Sequence, residues 1–317
     1  MVEYLDFAST TPVDPKVADL VMKLMVESFG NASSRTHHYG TEAKKIVSNA
    51  REQIASTLNC EARHVFFTSG ATESNNLTIF GLANSEIGKS KKHIVSTTIE
   101  HEAVLEPLEE LSKQGFEVEL VSPSSSGVIE ASDVISKIRP DTLLVSVMHV
   151  NNELGTVQPI GEIADGLQGT DAFFHVDAAQ GYGKSLSGLT HERIDLISIS
   201  GHKIFAPKGV GILIKKTRDY SSIKLKPLMF GGGQENGVRP GTLAVPLIGG
   251  IGLAAELAYK NKEVRNKHNK ELFEKFCVLL ESNSFKIIGD KDRHCNNILL
   301  ASNVSLDGEA AILALKD

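Results

Sequence analysis

The sequence predicts an α/β protein with a core of seven mostly parallel strands between layers of helices. Two observations carry this expectation. Short apolar runs recur along the first two thirds of the chain with helix-compatible segments between most of them, and such alternation builds a parallel sheet covered on both faces. The 317 residues suffice for about two domains, and near Ala255 the composition shifts towards Glu, Lys and Asn. The expected division is a large domain over 15–255 and a smaller α+β domain formed by 1–14 with 256–317.

In chain order the expected strands are 64–69, 93–98, 117–122, 142–150, 172–177, 196–200 and 209–215. A helix-rich stretch over 245–282 leads to a shorter segment around 297–305. Ala310, Ile312, Leu313 and Leu315 then read as a helix opened after Asp307-Gly308, with no Gly or Asn to close it before Asp317. The smaller domain is therefore expected to be incomplete.

Composition narrows the function classes. The 33 basic and 39 acidic residues leave a net charge of −6, so no basic surplus points to nucleic acid or an anionic membrane. No apolar stretch approaches a membrane span, and Met1-Val-Glu-Tyr-Leu-Asp6 lacks the plan of a signal peptide. A cytoplasmic location is the expectation. Cys60, Cys277 and Cys295 are few and far apart, which argues against a disulfide framework or a cysteine-built metal site, and no metal is expected.

Two strand ends carry chemistry. Leu196-Ile-Ser-Ile-Ser-Gly-His-Lys203 ends on a lysine and Ala172-Phe-Phe-His-Val-Asp177 on an aspartate, at the edge where open α/β sheets collect ligands. An amine that holds an aldehyde and an acid beside a ring nitrogen are what pyridoxal 5'-phosphate (PLP) requires. The alternative is a helix-capping Asp177 and a solvated Lys203. Thr68-Ser-Gly-Ala-Thr-Glu-Ser-Asn75 is a glycine turn opening a helix, suited to phosphate or merely capped by Thr72 or Ser69. His101, at a strand-to-helix junction, could stack on a planar cofactor and exchange protons, or only cap its helix. Asn152 could bond a cofactor oxygen or shape a turn.

Taken together, Phe67-Thr-Ser-Gly-Ala-Thr-Glu-Ser74, His149-Val-Asn-Asn-Glu153, His175-Val-Asp-Ala-Ala-Gln180 and Ser200-Gly-His-Lys203 resemble, in order, the motifs of the cysteine desulfurases. These are class-V aminotransferase-like PLP enzymes of fold type I, and the resemblance runs from Tyr4 to Glu309. It implies that Lys203 holds the cofactor as a Schiff base and moves the substrate's Cα proton. Asp177 would pair with the pyridine nitrogen, Gln180 would bond the phenolic oxygen, and His101 would stack on the ring. Ala71, Thr72, Ser200 and His202 would hold the phosphate. Asn152 and Asn31 would face the substrate, although Asn31 beside Gly30 also reads as a turn residue. The glycine-rich segment from Gly231 to Thr242 should be a loop. The resemblance carries that loop across a homodimer interface, with Thr242 reaching the partner's phosphate.

The implied reaction takes sulfur from L-cysteine onto a protein thiolate, leaving L-alanine and a persulfide for an acceptor. That acceptor could be an iron–sulfur scaffold, a tRNA-thiolation protein or a DNA-phosphorothioation protein. In the family the nucleophilic cysteine and the carboxylate-binding arginine follow the segment that resembles 306–315, beyond Asp317. Cys60 and Cys277 read as structural, whereas His294 and Arg293 could lower the pKa of Cys295, whose position before a strand nevertheless suits a mobile nucleophile poorly. The alternatives are a PLP lyase or transaminase that needs no protein thiol, acting on selenocysteine or cysteine sulfinate, and a non-catalytic cofactor-binding dimer.

Overall fold

A computed structural model describes residues 4–218 and 221–314. Leu315, the last expected position of the closing helix, lies outside them. Two helices open the chain, α1 (Pro15–Val26) and α2 (His38–Thr57). The alternating part comprises β1 (Val65–Thr68), α3 (Ala71–Ala83), α4 (Glu86–Ser90), β2 (His93–Thr97), α5 (Glu102–Lys113), β3 (Glu117–Val121) and α6 (Ala131–Ser136). It continues with β4 (Thr142–Met148), α7 (Ile160–Gly166), β5 (Phe173–Asp177), β6 (Leu196–Ser200) and β7 (Gly211–Lys215). After the small hairpin of β8 (Thr217–Arg218) and β9 (Ser221–Ser222) come α8 (Val245–Lys260), α9 (Lys262–Ser282), β10 (Lys286–Ile288), β11 (Leu300–Ser302) and α10 (Gly308–Ala314).

The main sheet has the order β1-β7-β6-β5-β4-β2-β3. Only β7 runs antiparallel, to both β1 and β6. Period-two alternation sends Phe174 and Val176 of β5, with Ile197 and Ile199 of β6, into a core shared with α1, α2, α6, α7 and α8. Phe173, Leu196 and Leu213 point to the opposite core, with α3 and α5. Both faces are covered, so the central strands β4, β5 and β6 are buried along their whole length, their polar residues included.

Local signals set the helices. Asp14 caps α1 by accepting the Lys16 N–H, with Pro15 following as first residue. Ala43, Val47, Ala50 and Ile54 form the buried stripe of α2. There α8 comes so close that a Cβ on Gly252 would lie 2.8 Å from the Ala50 Cα. Ala254, Ala255 and Ala258 continue that buried contact, so the composition shift at Ala255 falls inside α8. Asp307 caps α10 through the Ala310 N–H.

Since β1, β2, β4, β5 and β6 point the same way, their C-terminal ends meet along one edge. Gly211 opens β7 between the ends of β1 and β6, paired with Thr68 and Ser200. A Cβ there would stand 2.4 Å from the Gly70 Cα, so the turn before α3 rests on a bare backbone. Gly211→Ala is expected to cost about 1–3 kcal/mol in urea denaturation. Gly161→Ala, in α7 with nothing near the added carbon, should be neutral or stabilise by about 0.4–1 kcal/mol.

Candidate active site

A cleft of about 870 Å³ opens along that edge, within the range of roughly 300–1,000 Å³ common for small-molecule sites. Ala71, Thr72, His101, Asn152, Asp177, Gln180, Ser200, His202 and Lys203 all line it. Five loops contribute, each following a different strand.

Asp177 ends β5 and is buried. Its Oδ2 accepts from Asn75 Nδ2 at 2.6 Å and its Oδ1 from the Ala179 N–H at 2.9 Å. Burial raises its pKa, against these donors and the charges of His101 and Lys203. Beneath it, His175 bridges the hydroxyls of Ser146 at 2.8 Å and Ser198 at 2.9 Å, and burial lowers its pKa to about 3. The rung under the carboxylate is therefore polar and uncharged at neutral pH.

Neither Ser69 nor Thr72 caps α3: Gly70 is its N-cap, without a side-chain hydrogen bond. The first N–H groups of the helix are left for a ligand on the cleft floor, where the helix dipole favours an anion. His101 caps α5, its Nδ1 accepting the Ala103 N–H at 3.0 Å, and it lines the cleft; in the neutral ring Nε2 then carries the proton. In the amide pair the work is divided. Asn151 shapes the turn by accepting from Glu153 and Leu154, and Asn152 lines the cleft.

The Lys203 ammonium donates to the carbonyls of Ala8 and Ser9. Desolvation lowers its pKa, opposed by Asp6 and Asp177. The segment that receives it is tied down, Thr11 N donating to the His202 carbonyl at 3.0 Å and His202 Nδ1 meeting Thr10 Oγ1 at 3.1 Å.

Two expected residues lie elsewhere. Asn31 is exposed and forms a turn, its Oδ1 accepting the Ser33 N–H at 2.9 Å. Thr242 is exposed at the end of the glycine-rich loop. That loop is fastened by Glu235, buried and paired with Arg51, and by Arg239, which pairs with Glu73 of α3 at 2.7 Å.

The resident thiols are not activated. Burial pushes Cys60 and Cys295 up to about 11 and raises Cys277. The expectation that His294 and Arg293 would acidify Cys295 fails on geometry. His294 meets the Leu154 carbonyl and stacks on Phe273, while Arg293 reaches Glu162. Among the described residues, His93, Glu117 and Glu119 are the one group whose potential metal ligands converge. They sit at the far end of the strands, where Arg139 and Lys137 already pair with the two glutamates.

The Aminotransferase class-V family profile matches residues 3–313. Cysteine desulfurase IscS of Rickettsia prowazekii is 42% identical over 318 aligned positions, covering 99% of this chain and 76% of that protein. The chain belongs to the class-V aminotransferase family, among the cysteine desulfurases. Two solved structures share its architecture. DndA from Streptomyces lividans superposes with a TM-score of 0.90 at 49% identity, over 99% of this chain and 88% of that one. A structure of SspA in complex with cysteine gives 0.75 at 42% identity, over 80% and 72%. Such desulfurases depend on PLP, and the cleft fits it: an amine, a buried carboxylate and an uncapped helix start converge in one cavity.

Several site residues escaped the sequence reading. Asn75 lies four positions after Ala71, a helical spacing that puts both on one face. Glu100, beside His101, gave no signal. It is buried, and its Oε1 accepts from Thr97 at 2.7 Å and from the Met148 N–H at 2.8 Å. Burial raises its pKa from 4.5 to about 8, against those donors. Its carboxyl therefore releases a proton more readily in the unfolded chain. Its contribution to stability is complete below about pH 4.5 and falls as pH rises towards 8. Glu100→Gln keeps the acceptor oxygen but does not titrate. In urea denaturation of the cofactor-free protein, its stability relative to the wild type should rise between about pH 5 and 8, by up to about 1.4 kcal/mol per pH unit. Parallel curves would refute the assignment.

Proposed function

We propose that this chain binds PLP in the cleft and acts on L-cysteine to release sulfur and L-alanine. The observation that carries the reading is the convergence of Lys203, Asp177 and the uncapped α3 on one cavity. PLP supplies an electrophilic aldehyde and a ring that takes up the electrons left when the substrate's Cα–H bond breaks. Lys203 Nζ would be the amine that holds that aldehyde and the base for the substrate's Cα proton. Its lowered pKa favours the free amine that both tasks need.

Asp177 holds a proton on the pyridine nitrogen, and Asn75 fixes the carboxylate for it. The ring of His101, oriented by its capping bond, stacks on the cofactor. Gln180 and Asn152 donate to oxygens of cofactor and substrate. Ala71, Thr72, Ser200 and His202 receive the phosphate. Thr242, exposed on a fastened loop, is assigned to the phosphate of a second protomer, which makes the working unit a homodimer. Nothing in the cleft's geometry calls on Asn31.

The division into 15–255 and 1–14 with 256–317, and a cytoplasmic setting, belong to the same proposal. Among the described residues no helix is long and apolar enough to cross a membrane. The raised pKa values of the three resident thiols support a sulfur-accepting thiolate other than Cys60, Cys277 and Cys295. The sulfur then passes to a protein acceptor of iron–sulfur assembly, tRNA thiolation or DNA phosphorothioation.

Purified protein supplied with PLP should show a visible absorbance band that Lys203→Ala abolishes. With L-cysteine, mass spectrometry should find Cys60, Cys277 and Cys295 free of persulfide. A persulfide on Cys295 would overturn the exclusion of resident thiols, and a band that survives Lys203→Ala would overturn the cofactor assignment.

A further inference from the structure

An amide side chain can sit either way round, and its neighbours decide which. Gln180 is buried, and its Oε1 accepts from Lys184 Nζ at 2.8 Å. Its Nε2 donates to the Ala8 carbonyl at 2.7 Å, the same oxygen that receives Lys203. An ammonium only donates and a carbonyl only accepts, so the reversed amide would set N–H against N–H and O against O. A single hydrogen-bonded chain thus runs from Lys184 through Gln180 and Ala8 to Lys203.

Lys184 is costly where it stands. Desolvation pulls its pKa down to about 8, with Cys295 opposing and Lys203 adding to the shift. A half-buried cation whose close partners are neutral amides, Gln180 and, with its amide turned to satisfy both ends, Asn297 at 3.3 Å, is a poor device for stability alone. Its position is explained by what it does to Gln180.

We infer that Lys184 is a positioning residue: it locks the Gln180 amide with the NH2 group towards the cleft, so that the site selects a ligand oxygen that accepts. One N–H of that group is used by Ala8, and the second is available to the ligand. The inference rests on the reading that the cleft holds PLP, and it assigns to Lys184 the recognition of the cofactor's ring oxygen.

The test compares wild type, Lys184→Met and Lys184→Arg, reading the PLP dissociation constant, the visible band and the melting temperature of the cofactor-free protein. Methionine has similar length but no donor, whereas arginine remains donor-only. Lys184→Met should melt at or above the wild-type temperature yet bind PLP about tenfold more weakly, the worth of one hydrogen bond, with a shifted band. Lys184→Arg should recover both. In a Gln180→Leu background Lys184→Met should change nothing further.

Wild-type affinity and an unmoved band in Lys184→Met would overturn the inference while the cofactor reading stood. A wild-type band that survives Lys203→Ala would overturn both. Should Lys184→Met not fold, Lys184→Gln takes its place, since a second amide lets Gln180 turn. Equal PLP affinity in the Gln and Arg variants would then contradict the inference.

Discussion

The carboxylate of Asp177 is the constraint around which the site is arranged. It stands at the end of the central strand of the sheet, out of water, and needs donors to remain there. Asn75 and the Ala179 N–H supply them, and Asn75 belongs to α3, whose uncapped start forms the cleft floor. One hydrogen bond of 2.6 Å therefore ties the proposed ring-nitrogen partner to the proposed phosphate turn. The fold makes this possible because period-two alternation turns Phe173, His175 and Asp177 to the α3 face.

Around that carboxylate the other ionisable groups are kept quiet. His175 below it is neutral, and burial holds Glu100, after β2 two strands away, largely protonated at neutral pH. His149 is likewise buried, its pKa lowered to about 4. Among the described residues Asp177 is the carboxyl group that the sheet itself presents to the cleft, which Lys203 and Lys208 also line.

Much of this was legible in the sequence. All seven strands were, because each carries apolar or β-branched residues between turn and helix signals, even β3, which is only partly buried. Lys203, Asp177 and His101 stood at strand ends, where side-chain chemistry and topology coincide. The antiparallel direction of β7 was not legible, since apolar content carries no direction. Asn75 and Lys184 were hidden because they act on other side chains, and only the folded chain shows that Asn75 reaches Asp177 or that Lys184 reaches Gln180. Cys295 shows the converse: charged neighbours in sequence turned to other partners, and burial decided its pKa.

The central claim is that this cleft presents Lys203, and no other amine, to a PLP aldehyde. Lys208 also lines the cleft, and Lys184 is bonded to the cleft residue Gln180. Borohydride reduction of the PLP-loaded protein, followed by peptide mass spectrometry, locates the bond. The account predicts a single pyridoxyl adduct, on Lys203. An adduct on Lys184 or Lys208, or none at all, would contradict it.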